Sequence, residues 1–346
     1  MSRRRHVPLR EVPRRCLLVT SLLSAFLLVA GATSASALPY GPPPGKVFAG
    51  ETGQPISQYV GATGKHPAVY QEFLAWGQYI PGITQDAISA HARMMMAIGT
   101  TYGSREVITP AGIASGQGDG WLISLQNAIA QSANITYVRL MAEMDGYWNV
   151  YSAYNANGSF RGAAHSQAAY KQAWRRVTLI MRGGKLSAID AELHRLGLPA
   201  LHTSRDLPRA KVAMLWVPEL QPGDPAVRGN SPSDYWPGGR WVDWVGTDFY
   251  SNAQNFGGLQ TFYDQYSFKP FVFAEYALWN SGDDAGFVNR LFGWVNSHPR
   301  VRMLLYNQGV SATGPFRLYR YPSSAQALRR ALASSRYLAY APEWAR

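Results

Sequence analysis

Cysteine is almost absent from this chain of 346 residues, because its single cysteine, Cys16, lies in the N-terminal segment. The remainder of the chain therefore has no disulfide, no thiol nucleophile and no thiolate metal site. Its seven histidines are scattered, without the H-E-x-x-H or H-x-x-x-H spacing that is typical of zinc sites. A G-x-S-x-G segment is also missing, which argues against an α/β-hydrolase nucleophile. We expect neither a metal ion nor another cofactor.

The chain begins with a basic stretch that is followed by a mostly apolar run. The basic stretch contains six arginines, which are Arg3, Arg4, Arg5, Arg10, Arg14 and Arg15. The apolar run is Cys16–Ala32, and residues 35–37 (Ala-Ser-Ala) form an A-x-A cleavage signal before Leu38. The run is short for a membrane span, so we predict a signal peptide at residues 1–37. The protein is then secreted, by the Sec or the Tat route, without a stable membrane anchor.

Removal of this leader changes the charge of the protein. Taking six arginines and one glutamate from 33 basic and 21 acidic residues leaves 27 and 20, a net charge of about +7. These charges are dispersed, and no basic run with interleaved aromatic residues occurs, so we expect no nucleic-acid partner. We predict a monomer with a linker at 38–45, one domain at 46–335 and a tail at 336–346.

Strand-like and helix-like segments alternate along the domain, which is typical of βα units. The predicted strands are Lys46–Gly50, Val69–Trp76, Met94–Thr100, Thr136–Ala142, Lys211–Val217, Trp241–Tyr250, Pro270–Glu275 and Val301–Tyr306. The clearest helical patterns are Trp121–Ala133, Ser166–Met181, Ala285–Val295 and Ser323–Ala333. We interpret residues 183–208 as a helix and loop added between the fourth and fifth strands. The predicted fold class is α/β, a single (β/α)8 TIM barrel.

Two of these strands end in a glutamate, Glu143 after the fourth and Glu275 in the seventh. A carboxylate at the end of a buried apolar run is expensive to bury without a partner, so its position needs a reason. In a (β/α)8 barrel, catalytic groups lie at the carboxyl ends of the strands, around one shared mouth. Two carboxylates across such a mouth are the groups that glycoside hydrolases use. The alternative is a pair of buried acids in structural salt bridges.

The residues around Glu143 carry a more specific signal. Residues 143–148 are Glu-Met-Asp-Gly-Tyr-Trp, with a tyrosine at 151. Further blocks follow the same order as in one known family, at Ser115–Asp119, Tyr170, Trp174-Arg175, Val212–Pro218, Trp241–Tyr250, Lys269-Pro270 and Phe316–Tyr319. Together they resemble glycoside hydrolase family 26. The resemblance implies a retaining endo-β-glycosidase acting on a polysaccharide substrate, most simply β-1,4-mannan, with Glu143 as acid/base and Glu275 as nucleophile.

Five residues are candidates for substrate binding, namely Trp148, Tyr151, Tyr250, Tyr306 and Asp145. The spacing of Trp148 and Tyr151 from the acid/base favours a sugar platform, although both could instead cover the barrel rim. Tyr250 either hydrogen-bonds the nucleophile or belongs to the core. We interpret Arg139, four residues before the acid/base, as structural.

The chain departs from the family pattern at three places. Ala142 stands where the family has a histidine, and Asp145 stands where it has an asparagine. The negative charge of Asp145 could help to keep Glu143 protonated. At the eighth strand the family's Trp-Phe pair aligns with either Leu305-Tyr306 or Tyr306-Asn307. The platform under the scissile sugar is therefore predicted to be smaller or displaced. These departures leave two alternatives open, the same chemistry on β-1,3-1,4-glucan or β-1,3-xylan, and a non-catalytic carbohydrate-binding barrel.

Overall fold

The eight buried apolar segments form parallel strands in the part of the chain that the computed structural model describes. That part is residues 40–345, apart from residues 54, 81, 84, 310 and 312, and the predicted signal peptide lies outside it. The eight strands are β1 (Val47–Thr52), β2 (Val69–Leu74), β3 (Arg93–Ile98), β4 (Thr136–Leu140), β5 (Val212–Trp216), β6 (Trp244–Tyr250), β7 (Phe271–Ala277) and β8 (Val301–Asn307). All eight predicted strands are thus present, with ends that differ by a few residues.

Each strand pairs in parallel with the next, and β8 pairs with β1, so the sheet closes into a barrel. At the closure Phe48 lies opposite Met303 and Thr52 opposite Asn307. The strands are apolar on both faces because one face fills the barrel and the other packs under helices. The predicted single (β/α)8 barrel is confirmed. Large side chains that fill its interior include Phe48, Met95, Tyr137, Trp244 and Met303.

Helices surround this barrel in the described residues. They are α1 (Ile56–Thr63), α2 (Gln85–Ser89), α3 (Pro110–Ala114), α4 (Asp119–Ser132), α5 (Gln167–Arg182), α6 (Leu186–Arg195), α7 (Phe256–Gln265), α8 (Ala285–Ser297) and α9 (Pro322–Leu332). The α6 helix is the one predicted between the fourth and fifth strands. Side-chain caps define several starts, such as Ser166, which accepts from the Ala169 amide at 3.2 Å. No described helix combines the length and apolar character needed to cross a bilayer.

The segments at both ends of the domain are bound to the barrel rather than free of it. Tyr337-Leu338 extends the sheet as a short parallel partner of β1. Arg93, at the start of β3, donates to both carboxylate oxygens of Glu343 at 2.7 and 2.8 Å and to the carbonyl of Tyr40. The prediction of a separate linker at 38–45 and tail at 336–346 was therefore wrong for the described residues. These contacts join positions far apart in sequence, which local patterns do not reveal.

Glu343→Gln should lower thermal stability, because the buried Arg93 guanidinium loses its anionic partner. Partial burial by itself raises the pKa of Glu343, but the hydrogen bonds and charge of Arg93 lower it overall. The ion pair thus stabilises the fold above the unfolded pKa of about 4.3 and is lost as the pH falls through the lower folded value. We expect a loss of about 1 kcal/mol, or about 2–4 °C in Tm, near neutral pH.

Thermal unfolding followed by circular dichroism checks this expectation. Lys185→Gln is the matched control, because it breaks an ion pair with Asp206 whose side chains are both at least half exposed. The control should change Tm much less. An equal loss in the two variants, or a Glu343→Gln loss that persists in acid, would contradict the account.

Candidate active site

A cleft of about 1010 Å³ opens at the carboxyl ends of the strands, and both predicted catalytic glutamates line it. Its walls come from the loops that follow β2 to β8. The floor is polar, since inward-facing residues near the carboxyl ends of several strands are Gln71, Arg139, Asp248, Glu275 and Asn307, all buried. The barrel interior below this layer is apolar, so the polar groups must satisfy one another.

Glu143 reaches the cleft through a strained turn after β4. Met141 and Glu143 both adopt left-handed backbone conformations, with φ of 42° and 49°. Such conformations cost of order 1–3 kcal/mol for residues other than glycine and cluster at functional sites. The Glu143 amide donates to the carbonyl of Val217 at 2.7 Å, which fixes the turn against the end of β5.

The loop after this turn supplies two aromatic side chains to the cleft. Trp148 donates its indole N–H to Oε2 of Glu143 at 2.7 Å. Its ring lies so close to Gly146 that a Cβ there would come within 2.4 Å of the indole Cζ2. Tyr151 is largely buried and donates to the carbonyl of Ala142 at 2.6 Å. Trp148 is 47% exposed and lines the cleft, so its ring is accessible from there.

Glu275 lies at the floor of the cleft, next to a register irregularity between β6 and β7. Among the described residues, four groups donate to its carboxylate. Gln71 donates to Oε1 at 3.2 Å and Asn307 to Oε2 at 2.7 Å. Arg139 donates to Oε1 and the Tyr250 hydroxyl to Oε2. The predicted hydrogen bond from Tyr250 is therefore present, and the carboxylate has one fixed orientation.

Arg139 connects β4 with β6 and β7, since its guanidinium forms ion pairs with both Asp248 and Glu275. Burial by itself lowers the pKa of Arg139, but the charges of Asp248, Glu275 and Glu143 raise it overall. Burial raises the pKa of Asp248 well above its usual range; Arg139 opposes this rise, while Glu275 and Glu143 add to it. One cation thus faces three carboxyl groups. The interpretation of Arg139 as purely structural was too narrow, because its side chain lines the cleft.

Asp145 does not reach the cleft. Its side chain is fully buried, and Oδ1 accepts from the Glu219 amide at 2.9 Å. Burial, opposed by backbone hydrogen bonds, raises the pKa of Asp145 to about 8, and Oδ2 has no partner among the described residues. The prediction that Asp145 binds substrate is not supported by this position. A protonated aspartic acid here has the shape and neutrality of an asparagine.

Tyr306 is also removed from the candidate substrate-binding residues. It is fully buried, packs edge-on against Tyr276 and donates to the carbonyl of Phe316 at 2.9 Å. Strand alternation turns it outward, and its neighbour Asn307 faces the barrel interior instead. The exposed aromatic surface at this end of the cleft comes from other loops. Trp279 is 37% exposed and packs 5.3 Å from Phe316 and 5.2 Å from Tyr250.

The described residues contain no group of three or more histidine, cysteine or acidic side chains that could hold a metal ion.

Solved structures that are similar to this fold include β-mannanases. No protein-family model and no curated protein matches the sequence. A mannanase from Bacillus subtilis superposes with a TM-score of 0.57 at 14% identity, over 88% of this chain and 89% of the other. A glycoside hydrolase family 26 β-mannanase from Bacteroides ovatus gives 0.58 at 14% identity, over 85% and 90%. The chain has the fold of these mannanases. At such low identity the likeness concerns the fold, and it is the fold that the sequence blocks implied.

Several residues of the cleft were missed by sequence reasoning. Gln71 and Asn307 occupy inward-facing positions of otherwise apolar strands, so the period-two alternation could have placed them beside the two glutamates. Asp248 lies two residues before Tyr250 and shares its face of β6, which carries the same signal. Glu219 and Trp279 lie in loops just beyond strands. For these two the sequence holds no periodic signal at all.

Asp145→Asn should stabilise the protein at alkaline pH. The folded-state pKa of about 8 exceeds the unfolded value of about 4, so the stability supplied by the protonated carboxyl is present below pH 4 and lost as the pH rises through 8. The gain in Tm over the parent should be near zero at about pH 4 and reach about 4 °C, or about 2 kcal/mol, above pH 8.

Calorimetry across this pH range measures the difference. Asp224→Asn is the control, because Asp224 is exposed in the loop that pairs with Gly146 and its loss removes the same charge. A gain of the same size in this control, or one independent of pH, would show that Asp145 is not a buried neutral acid.

Proposed function

We propose that the protein is a retaining endo-β-glycosidase that hydrolyses a β-linked polysaccharide by double displacement. The observation that carries this proposal is the pair of glutamates at the ends of β4 and β7, which line the same cleft. Retaining glycosidases require two carboxyl groups with different roles on either side of the scissile bond. The different surroundings of Glu143 and Glu275 match that division.

Glu275 has the surroundings of a nucleophile. Its carboxylate is buried at the floor and oriented by donors from Gln71, Arg139, Tyr250 and Asn307. Such positioning would hold one carboxylate oxygen toward the anomeric carbon. The carboxylate would then lose little conformational entropy on reaching the transition state. Attack by that oxygen forms the bond of a glycosyl-enzyme, while the bond to the leaving oxygen breaks.

Glu143 has the surroundings of an acid/base. It lies on the cleft wall, half-buried, with one oxygen held by the indole of Trp148 and the other carboxyl groups nearby. In the first step it gives its proton to the leaving oxygen. In the second it takes a proton from the water that attacks the glycosyl-enzyme, so the enzyme is restored.

The proposed substrate is β-1,4-mannan. The structural neighbours described above are named as mannanases, and the ordered sequence blocks resemble family 26. The cleft is large enough for several sugar rings, and the partly exposed indoles of Trp148 and Trp279 line it. β-1,3-1,4-glucan and β-1,3-xylan are the substrates to compare, because no described residue of the cleft selects mannose over glucose or xylose.

A non-catalytic carbohydrate-binding barrel is the competing function, motivated by Ala142 in place of the family's histidine. The side chain of Ala142 borders the cleft, and its carbonyl is occupied by Tyr151. Binding alone, however, gives no reason to keep a strained glutamate and a buried acid held by four donors. These features lower the stability of the folded protein, and a catalytic role explains why they are present.

We also propose that residues 1–37 direct export and are then removed. The basic and apolar segments of the leader and the Ala-Ser-Ala signal before Leu38 support this proposal. Analysis of the exported protein should find Leu38 as its first residue, whereas detection of Met1 would refute the cleavage.

Removing either glutamate should damage turnover in a different way. Glu275→Ala should lower kcat on every substrate by about 10⁴-fold or more, because no glycosyl-enzyme can form. Glu143→Ala should lower kcat/KM by about 10²–10⁴-fold on polysaccharide and much less on an aryl glycoside with a good leaving group. Azide should partly restore the second variant and give the β-glycosyl azide, since a small anion needs no general base.

Reducing-sugar release from mannan, glucan and xylan, together with the aryl glycoside, measures these effects. Glu192→Gln on the surface of α6 is the control and should retain parental turnover. Parental activity in both active-site variants would refute the assignment. Binding of mannan without cleavage by the parent protein would favour the competing function.

Trp279→Ala should raise KM for polysaccharide about fivefold with little change in kcat, because a stacking face worth about 1 kcal/mol is lost in ground and transition states alike. The control is Tyr319→Ala, a more exposed aromatic residue that does not line the cleft. Steady-state kinetics on mannan distinguishes the two variants. An unchanged KM for Trp279→Ala would remove that ring from the binding surface.

A further inference from the structure

A third glutamate, Glu219, faces the proposed acid/base from the loop after β5. It is half-buried and lines the cleft beside Glu143. Two cross-links hold the loops together, since the amide of Glu143 donates to Val217 at 2.7 Å and the amide of Glu219 donates to Asp145 at 2.9 Å. Each carboxyl group thus extends from a backbone position that is tied to the other loop. The approach of the two side chains is fixed by the fold.

The carboxyl groups of Glu219 and Asp248 both lie within hydrogen-bonding reach of Glu143. Two ionised carboxylates cannot hydrogen-bond to each other, so each such contact requires a proton. Asp248 has the cation Arg139 as a partner. In the part of the chain that the structure describes, no arginine, lysine or histidine forms an ion pair with Glu219. Of the two acids beside Glu143, Glu219 is therefore the one whose negative charge would have no cationic partner among the described residues.

We propose that Glu219 is a positioning residue that shares one proton with Glu143 and so keeps the acid/base supplied with the proton it delivers. The inference rests on the function proposed for Glu143, but the shared proton itself does not. Burial first, and then the charge of Glu143 and a hydrogen bond with it, raise the pKa of Glu219 well above its usual range. Other groups that face the pair are Arg139, Trp148, Tyr151 and Tyr250.

The proton balance follows from this pairing. Before reaction the two carboxyl groups hold one proton and one negative charge, because a second ionisation would place two like charges in contact. Donation to the leaving oxygen leaves both groups ionised, and their repulsion favours recovery of a proton from the attacking water. Paired acids of this kind titrate in two coupled steps that belong to the pair.

Carboxyl-carbon NMR of protein labelled with ¹³C at the glutamate side-chain carboxyl tests the pairing without any need for turnover. The signal of Glu219 is assigned by its absence in Glu219→Gln. In the parent protein it should titrate in two steps, because the pKa of Glu219 is raised by the neighbouring Glu143. In Glu143→Gln it should titrate in one step, with the upper midpoint lowered by about one pH unit or more.

Asp224→Asn is the matched control, since it removes a carboxylate from the same loop and should leave both steps in place. A single-step titration of Glu219 in the parent protein would overturn the proposal, and the titration itself is followed in the parent protein. So would an unchanged Glu219 midpoint in a Glu143→Gln protein with parental circular dichroism.

The pH dependence of kcat/KM adds a readout that a structural role would not move. On unactivated mannan the alkaline limb should shift to lower pH by about one unit in Glu219→Gln. On an aryl glycoside with a good leaving group it should hardly move, because that substrate needs little protonation. A coupled titration in a protein without turnover would refute the proposed function and leave the shared proton standing, whereas turnover with an unshifted limb would refute the role of Glu219.

Discussion

The buried guanidinium of Arg139 is the contact on which the cleft depends. It pairs with Glu275 and Asp248 at the top of an apolar barrel, where an isolated carboxylate would be strongly disfavoured. Breaking such a pair from one side leaves an uncompensated buried charge, which costs far more than an exposed pair contributes. Gln71 and Asn307 complete the layer with neutral donors. The floor is therefore a single charge network, and the orientation of Glu275 is a property of all its members.

The wall that carries Glu143 is built on a different principle. Here the backbone is strained at Met141 and Glu143, and the strain is held by contacts of the chain with itself. The Val217 carbonyl, the indole of Trp148 and the buried Asp145 each fix part of the turn. A neutral Asp145 can do this work as an asparagine does, which explains how the chain departs from the family pattern without losing the turn. Its predicted effect on Glu143 by direct charge does not follow from that state.

The sequence allowed the barrel to be predicted because its strands are short, apolar on both faces and separated by amphipathic helices. It also placed Glu143 and Glu275 at strand ends, since an acid that terminates a buried run is a local signal. Arg139 was in view but was misjudged, because its partners lie 109 and 136 residues away. Glu219, Trp279 and the Arg93–Glu343 pair were not accessible at all, for they are set by how loops and termini meet in space. Tyr306 failed for a simpler reason, a shift of one position that reverses the face of a strand.

The aromatic surface of the cleft shows how such a shift can be compensated. With Tyr306 turned outward, the end of β8 offers Asn307 to the nucleophile instead of a ring to the sugar. The rings of Trp279, Phe316 and Tyr250 then form one packed group from three different loops and strands. Because Tyr250 also donates to Glu275, a sugar stacked on this group in the proposed function would be registered against Glu275 by the same side chain. In that proposal a single aromatic cluster serves both substrate binding and the orientation of Glu275.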